Sequence, residues 1–572
     1  MKIFAKYLKP NAKFAVFGCM FEVVATLCNL ALPLLMSKIV DDGINKLDFD
    51  YVWKSVLLMF SVAAVGMACH IMAIKQNLKA TTRFTELLKN DVFEKANKMT
   101  FSDHNRLGAA GLLTRTETDV WQMSEVTDVI LSGVCTIPIY MICGSVLAFM
   151  KDAYLALLLF AFTPVIIAAV ILVGRKIHPL WEIADKQTDR QNQLVRERLI
   201  GIRVIRAFNR DETECQKTNE ATRKMVLNYI KSNNRSGLIA PVAMLVLNVA
   251  TLLIVYVGAA RMQSGTGLSA ADVVAVVQYV GLIMSGIMTL SWSLIFVPRV
   301  RVNVKRLSEI LESESIPDAT DLDKPALNGN VSFDNVSFAY ADGSELVLSG
   351  VSFEVKAGEK VAIIGGTGSG KSTLVSLLLG FNKPTSGTLA FDGENVEGIS
   401  GERLRTNVSA VLQKGTIFAG TLRENIGLWQ DFTDEQIMEA VRDAQLESFV
   451  SSHPEGLDFK LSQGGSNVSG GQKQRIQIAR ALLKKAAIFL FDDSFSALDF
   501  MTESKIRTAI KDKLAPRTVF VVTQRVTGAM NSDKIIVMDN GKVVGIGKHE
   551  ELLQNCSVYN EIFISQSGRS FL

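Results

Sequence analysis

The chain has 572 residues, with 61 Lys+Arg against 57 Asp+Glu, a net charge of +4, 48% apolar residues and 21% charged ones. At roughly 150 residues per domain, this length exceeds what one core fills, and the charge is too small to argue a nucleic-acid partner. Long uncharged apolar stretches exclude a disordered chain, which needs low hydrophobicity and high net charge.

In chain order, Lys2, Lys6, Lys9 and Lys13 come first with no acid among them, followed by an apolar run over 14–36. Five more runs occupy 55–74, 129–150, 153–174, 237–260 and 273–298. Each is long enough to cross a bilayer, which takes about 20 helical residues. Together they hold one carboxylate, Glu22, and one histidine, His70. Six such runs in one chain predict a six-helix membrane domain over 1–307. The loop after the first run carries Asp41, Asp42, Asp48 and Asp50 against Lys38 and Lys46, so the basic N-terminus is expected to be cytoplasmic. Six crossings then return the chain to the cytoplasm at Arg299, Arg301, Lys305 and Arg306. No cleavable leader is expected, because the first run lacks a small-residue cleavage site and five more follow it. Of the seven cysteines, Cys19, Cys28, Cys69, Cys135 and Cys143 lie inside the runs, and no zinc-type spacing occurs. They read as small apolar packers in a reducing compartment.

The connections after the second and fourth runs are long, 75–128 and 175–236, and both fall on the inside. Their charged, helically spaced sequences (ATTRFTELLKNDVFEKANKM, DKQTDRQNQLVRERLIGIRVIRAF) predict spanning helices that continue well beyond the bilayer. Residues 308–330 then hold six acids, one Lys and two prolines, which predicts an exposed linker. From 331 to 572 the alternating patterns VSFDNVSFAY and LVLSGVSFEV precede buried-strand patterns KVAIIG, AIFLFDD, TVFVVTQ and KIIVMD, with helical segments between them. That is an α/β domain with a largely parallel central sheet.

Three motifs carry chemistry. GGTGSGKST comprises Gly365, Gly366, Thr367, Gly368, Ser369, Gly370, Lys371, Ser372 and Thr373, and stands between KVAIIG and the helical TLVSLLLG. It fits a phosphate-binding P-loop in its required strand–loop–helix context. Glycines let consecutive backbone N–H groups face phosphate oxygens, Lys371 adds a charge at the terminal phosphates and Ser372 a hydroxyl for Mg²⁺. IFLFDD ends an apolar strand in Asp492, placed to hold Mg²⁺ through its water shell. Between the two, NVSGGQKQRIQIARALL opens a helix with Ser469, Gly470, Gly471 and Gln472.

These elements in this order resemble the nucleotide-binding domain of the ATP-binding cassette superfamily, and the six spans with two long inner loops resemble its exporter-type membrane domain. The resemblance covers essentially the whole chain and implies a half-transporter: an α-helical membrane domain followed by an α/β P-loop ATPase, working as a dimer in the cytoplasmic membrane with ATP and Mg²⁺. It implies that Tyr340 stacks on adenine, that Gln413 senses Mg²⁺ and the membrane domain, that Ser469 to Gln472 close on the partner chain's ATP, and that Asp499 crosses the dimer seam. By the same resemblance, residues 101–120 and 201–212 are the coupling regions that transmit closure of the ATP sites to the spans.

Two residues depart from the family pattern. Its strand usually ends Asp-Glu, the Glu polarising the attacking water, whereas Asp492 is followed here by Asp493; its switch histidine is replaced by Gln524. A carboxylate one methylene short falls about 1.5 Å from its place, a misplacement that can cost roughly 10²-fold. Glutamine neither takes a proton nor carries a positive charge. Both changes sit beside the same γ-phosphate, so this site is expected to bind ATP and hydrolyse it poorly. A different chain carrying Glu and His is the expected partner, its site completed by this chain's Ser469 to Gln472. Gln463, where many relatives have an acid, carries no mechanistic conclusion.

For substrate, a hydrophobic or amphipathic drug, lipid or peptide is expected. Glu22 has two readings: recognition of a cationic substrate, or a structural role as a hydrogen bond between packed helices or a protonated, silent carboxyl. His70 reads as a capping or snorkelling residue. Trp292, Phe296, Tyr140 and Met284 are candidates to line an aromatic cavity or to pack against helices and lipid. Two other functions remain open, an ATP-gated regulatory or channel-like subunit and an importer built on the exporter fold. A soluble ATPase of the DNA-repair kind would lack the spans, and a peptidase-bearing exporter would need more than the 13 residues that precede the first one.

Overall fold

A computed structural model describes the backbone of residues 2–316, 321–340 and 345–567, and their side chains except at 2, 134–135, 239–240, 290–299 and scattered positions between 163 and 182. The candidate cavity residues Trp292 and Phe296 therefore lie outside the described side chains. The chain forms two compact units, Met1–Ala96 with Ala110–Glu312, and Asn97–Ala109 with Ser313–Leu572.

The first unit is helical: α1 (Ala12–Lys38), α2 (Phe49–Lys98), α3 (Phe101–Leu113, largely in the second unit), α4 (Val120–Lys151), α5 (Ala153–Ala207), α6 (Asp211–Ser236), α7 (Ile239–Gln263) and α8 (Ala270–Leu311). Helices satisfy their backbone polar groups internally, which an apolar segment in lipid requires. Among the described residues, five helical stretches are long and apolar enough to cross a membrane, and α5 opens on the apolar Ala153–Phe162. All six runs read from the sequence lie on long helices. The expected continuation beyond the bilayer is also present: α2 has 50 residues and α5 has 55. At 1.5 Å per residue that is about 75 to 80 Å, more than twice a hydrocarbon core of about 30 Å. Leu30, Leu155, Ile254, Tyr279 and Ile287 form the interior of this unit, while Phe60, Leu157 and Leu252 stay exposed on its flanks, as a lipid-facing surface would be.

The helix ends that follow the first, third and fifth runs are tied by charge. Lys151 donates to Asp272 Oδ1 at 2.6 Å and to Ser37 Oγ at 3.0 Å, joining α4, α8 and α1. Asp152 caps α5 by accepting from the Tyr154 and Leu155 amides, and it also takes a 2.9 Å bond from Arg261 Nε.

Besides a two-stranded pairing of Gly420–Thr421 with Lys460–Leu461, the second unit holds two larger sheets. An antiparallel one has β1 (Val331–Phe338) between β2 (Leu348–Val355) and β4 (Ser386–Phe391). The central one contains β3 (Lys360–Gly365), β5 (Val408–Val411), β6 (Ile488–Asp492), β7 (Thr518–Thr523), β8 (Lys534–Asp539) and β9 (Lys542–Gly547), in the order β9-β8-β3-β7-β6-β5. Every pair in it is parallel except β8 with β9. Ala362, Ile363, Ile364, Leu490, Phe520 and Val522 are fully or almost fully buried, which is why these strands read as unbroken apolar runs. Helices α9 (Lys371–Leu378), α10 (Gly470–Leu483), α11 (Phe500–Leu514), α12 (Val526–Ala529) and α13 (Ser557–Ser567) belong to this unit. The loop tip Asn97–Ala109 also belongs to it: the Phe101 ring stacks on Phe381 at 4.9 Å, and the Ile316 amide donates to Lys98 O at 2.7 Å.

Candidate functional site

Chemistry-bearing residues gather at the C-terminal ends of three neighbouring parallel strands, β3, β7 and β6, where open α/β sheets bind ligands. Register fixes this: Thr523 pairs with Ile364, Val522 with Asp492 and Met538 with Gly365, so Gly365 is the last paired residue of β3, and Gln524 and Asp493 lie just past their paired strand ends.

At the end of β3 the chain turns through Gly366–Gly370 into α9. Two of its glycines are required by geometry. A Cβ on Gly365 would lie 2.2 Å from Met538 O; Gly370 has φ +97°, and its Cβ would meet Leu348 Cδ2 at 2.6 Å. Gly366, Thr367 and Gly368 face solvent, as does Ser372 in the first turn of α9. Lys371 is only 8% exposed, and its ammonium folds back onto the loop, donating to Gly365 O at 2.9 Å, Gly366 O at 2.5 Å and Ser369 Oγ at 3.2 Å. Burial lowers its pKa, against the raising effect of Asp492 and Asp493. The loop thus pre-folds with its own carbonyls standing where an anion would take the ammonium's bonds. Tyr340, half exposed, leans on Phe338 edge-on at 5.0 Å and shares a 3.1 Å bond with Thr373 Oγ1, so an open aromatic face stands over the start of α9.

Asp492 is 7% exposed, and burial together with the neighbouring Asp493 carboxylate pushes its carboxyl up to about 6. Asp493 has a left-handed backbone, φ +47°, and is held by its amide to Val522 O at 2.9 Å. Its Oδ2 accepts a long 3.5 Å bond from Gln413 Nε2, which reaches in from beyond β5. The hydroxyl of Ser372, the amide oxygen of Gln413 and the carboxylate of Asp492 are hard oxygen donors of the kind Mg²⁺ takes, some through water, and a cation would offset the repulsion that burdens the Asp pair. The donor set fits that ion.

Gln524 is exposed and its side chain makes no hydrogen bond among the described residues. Its backbone is clamped: Gln566 on α13 donates to Gln524 O at 2.6 Å and accepts from the Val526 amide at 2.8 Å. No local pattern in the sequence marks Gln566, since its partner lies 42 residues away.

Ser469 to Gln472 stand apart from this cluster. Ser469 caps α10 in a reciprocal box, its Oγ accepting from the Gln472 amide at 3.3 Å and its amide donating to Gln472 Oε1 at 2.7 Å. The box occupies both side chains as acceptors and leaves the serine O–H and the Gly470 and Gly471 amides at an exposed helix N-terminus. Asp499, also exposed, caps α11 by accepting from the Thr502 amide at 2.9 Å, and this bonding lowers its pKa. No hydrogen bond joins either element to the phosphate loop among the described residues.

In the membrane unit Glu22 is 7% exposed, and both its oxygens are engaged: Oε1 accepts from Thr136 Oγ1 at 3.1 Å and Oε2 lies 3.2 Å from His70 Nδ1. The three residues come from α4, α1 and α2. This is the geometry of the helix-packing reading, and it pairs His70 with a carboxylate in place of the expected capping or snorkelling.

Comparison with known proteins agrees with this architecture. Residues 15–288 match the ABC transporter transmembrane region and 348–496 match the ABC transporter domain. An uncharacterized ABC transporter ATP-binding protein of Mycobacterium tuberculosis is 32% identical over 99% of this chain and 98% of its own length. A putative multidrug export ATP-binding/permease protein of Bacillus subtilis is 30% identical over 99% of both. Among solved structures, a bacterial Atm1-family ABC exporter with ATP bound is similar in fold, with a TM-score of 0.81 at 24% identity over 98% of this chain and 99% of that one.

Proposed function

Because the chain belongs to the ABC transporter family, as an exporter-type half-transporter with a membrane domain ahead of an ATPase domain, we propose that it is the hydrolysis-impaired subunit of a heterodimeric ATP-driven exporter. Hydrophobic or amphipathic compounds are the proposed cargo, a reading supported by the multidrug-export relative and by the apolar membrane unit. The N-terminus and the ATPase domain are proposed to be cytoplasmic.

The single observation that carries the proposal is the contrast between two elements of one domain. At the strand ends beside the phosphate loop, the position read as the one that polarises water holds Asp493, short and turned left-handed, and the position read as the switch residue holds an uncharged Gln524. The Ser469–Gln472 cap, by contrast, is intact, with Ser469 and Gly470 exposed. In the proposed cycle Lys371 leaves its loop carbonyls for the β- and γ-phosphate oxygens, the loop amides take the remaining oxygens, and Tyr340 covers the adenine. Ser372, Gln413 and Asp492 would hold Mg²⁺, which when bound would supply charge neutralisation. Asp493 reaches the attacking water poorly, and Gln524 donates one neutral hydrogen bond where a cation would stabilise developing charge. The serine O–H and glycine amides of α10 close on the partner's nucleotide instead. Binding of two nucleotides draws the ATPase domains together and the long helices with them; hydrolysis at the partner's site releases them, so the spans alternate in access.

The test uses this chain assembled with a half-transporter that carries Glu and His at the matching places, such as one encoded beside it. Ser469→Arg in this chain is expected to abolish turnover of the pair, whereas Lys371→Ala in this chain leaves most of it. The reverse ranking would overturn the assignment of roles.

A further inference from the structure

We propose that Gln566, on the C-terminal helix, is a positioning residue for the nucleotide site, setting the loop that presents Gln524 to the terminal phosphate. The proposal rests on the reading of Gln524 as a γ-phosphate residue, and it names what holds that residue in place.

The chain leaves β7 at Thr523 and enters the short helix α12 at Val526. Between them two backbone groups have no secondary-structure partner: the Gln524 carbonyl and the Val526 amide, the latter one of the unpaired N–H groups that open a helix. One side chain satisfies both. Gln566 Nε2 donates to Gln524 O at 2.6 Å while its Oε1 accepts from Val526 N at 2.8 Å. A primary amide carries a donor and an acceptor side by side, which is what a carbonyl and an amide two residues apart demand. The amide orientation follows from these partners, since the flipped one would oppose two donors and two acceptors. Inside the loop the Arg525 amide is taken by Thr523 Oγ1 at 3.0 Å, so the turn is bonded at each step.

The clamp is anchored to the same strands that build the site. α13 seats on a fully buried Tyr559, whose hydroxyl meets His549 Nδ1 at 2.7 Å. Tyr559 packs in one apolar cluster with Ile364 of β3 and with Val526 and Ala529 of α12. Gln566 therefore transfers to residue 524 a position defined by the strand that carries the phosphate loop. The Gln524 side chain, exposed and without a hydrogen bond among the described residues, takes its aim from its backbone alone. Without the clamp, the turn between Thr523 and Val526 loses the two bonds that tie it to the rest of the domain. The cost falls on a ligand that touches residue 524 and spares one that lacks a γ-phosphate.

Binding of ADP and of the non-hydrolysable β,γ-imido analogue of ATP, each with Mg²⁺, to the purified full-length chain tests this. For Gln566→Ala the ratio of analogue affinity to ADP affinity is expected to fall about fivefold, the scale of losing hydrogen bonds that fix one ligand. Gln566→Glu keeps the acceptor for Val526 and loses the donor, and falls about half as far on a logarithmic scale. Gln524→Ala lowers the ratio as well, and adding Gln566→Ala to it lowers it no further, because both act at one contact. If Gln524→Ala lowers the ratio and Gln566→Ala does not, or if Gln566→Ala weakens both nucleotides equally or costs thermal stability alone, the clamp is overturned. If Gln524→Ala leaves the ratio unchanged, the γ-phosphate reading of Gln524 fails and the clamp loses its role with it.

Discussion

Lengthening residue 493 by one methylene is the sharpest perturbation of the ATP site. Asp493 follows a strand whose register is locked, Asp492 to Val522, and its own amide donates to Val522 O at 2.9 Å, so the sheet fixes its Cα. Asp493→Glu then carries the carboxylate about 1.5 Å outward, the length of one C–C bond. If that is the distance by which the present carboxylate misses the attacking water, kcat rises about 10²-fold, or about 2.7 kcal/mol of barrier. The left-handed φ of +47° sets an opposing cost, since Asp tolerates that region better than Glu. The strain is on the order of 1 kcal/mol and lowers the melting point by about 2 to 4 °C. The assay is phosphate release by the purified chain in lipid, comparing wild type, Asp493→Glu and Asp493→Asn, with Lys371→Ala as blank. A faster but less stable Asp493→Glu protein is expected. Turnover within twofold of wild type, or equal rates for the Glu and Asn variants, would refute the reasoning.

The Asp492 carboxyl, raised to about 6, keeps a proton in the folded chain that the unfolded chain gives up near pH 4; stability present below pH 4 is lost as the pH rises through about 6, by about 3 kcal/mol. Asp492→Asn should therefore raise the melting point of the nucleotide-free protein at pH 7.5 and not below pH 4, and an unchanged midpoint at pH 7.5 contradicts this. Glu22→Gln preserves an acceptor for Thr136 and a partner for His70, so stimulation of the ATPase by cationic compounds should be unchanged in the assembled transporter. A loss confined to cations would restore the recognition reading. Phe101→Ala removes a stacked contact on Phe381 worth about 1 kcal/mol; ATP affinity should hold while substrate stimulation of turnover falls, and undiminished stimulation would deny that loop tip a coupling role.

Local rules reach far into this molecule because much of it is locally determined. Apolar runs of about 20 residues marked six of the long helices, and the helical spacing of charges in 80–99 and 185–208 marked the extension of two of them. KVAIIG, IFLFD and TVFVVT are buried on both faces of a parallel sheet, so they read as strands without knowledge of their partners. The phosphate loop was legible from its motif between a strand and a helix, with Gly368 (φ +81°) and Gly370 (φ +97°) in the left-handed region that favours glycine, whereas the close approach of Met538 O to Gly365 was not. What stayed hidden is non-local or conformational. Alternation in VSFDNVSF predicts a strand but not that it pairs antiparallel in a separate sheet with Leu348–Val355 and Ser386–Phe391. The residue type at 493 does not reveal a left-handed φ, and nothing near Gln524 announces a side chain from 566. Glu22 was visible as an expensive intramembrane carboxylate, yet choosing between its two readings required the positions of His70 and Thr136 on two other helices.

The most direct measurement is steady-state ATP hydrolysis by the purified chain alone, reconstituted in lipid at saturating Mg·ATP, with Lys371→Ala as the background. The account predicts binding of nucleotide with turnover near that background. Brisk hydrolysis that vanishes with Lys371→Ala would contradict it, because Asp493 and Gln524 would then suffice to split ATP without a second kind of subunit.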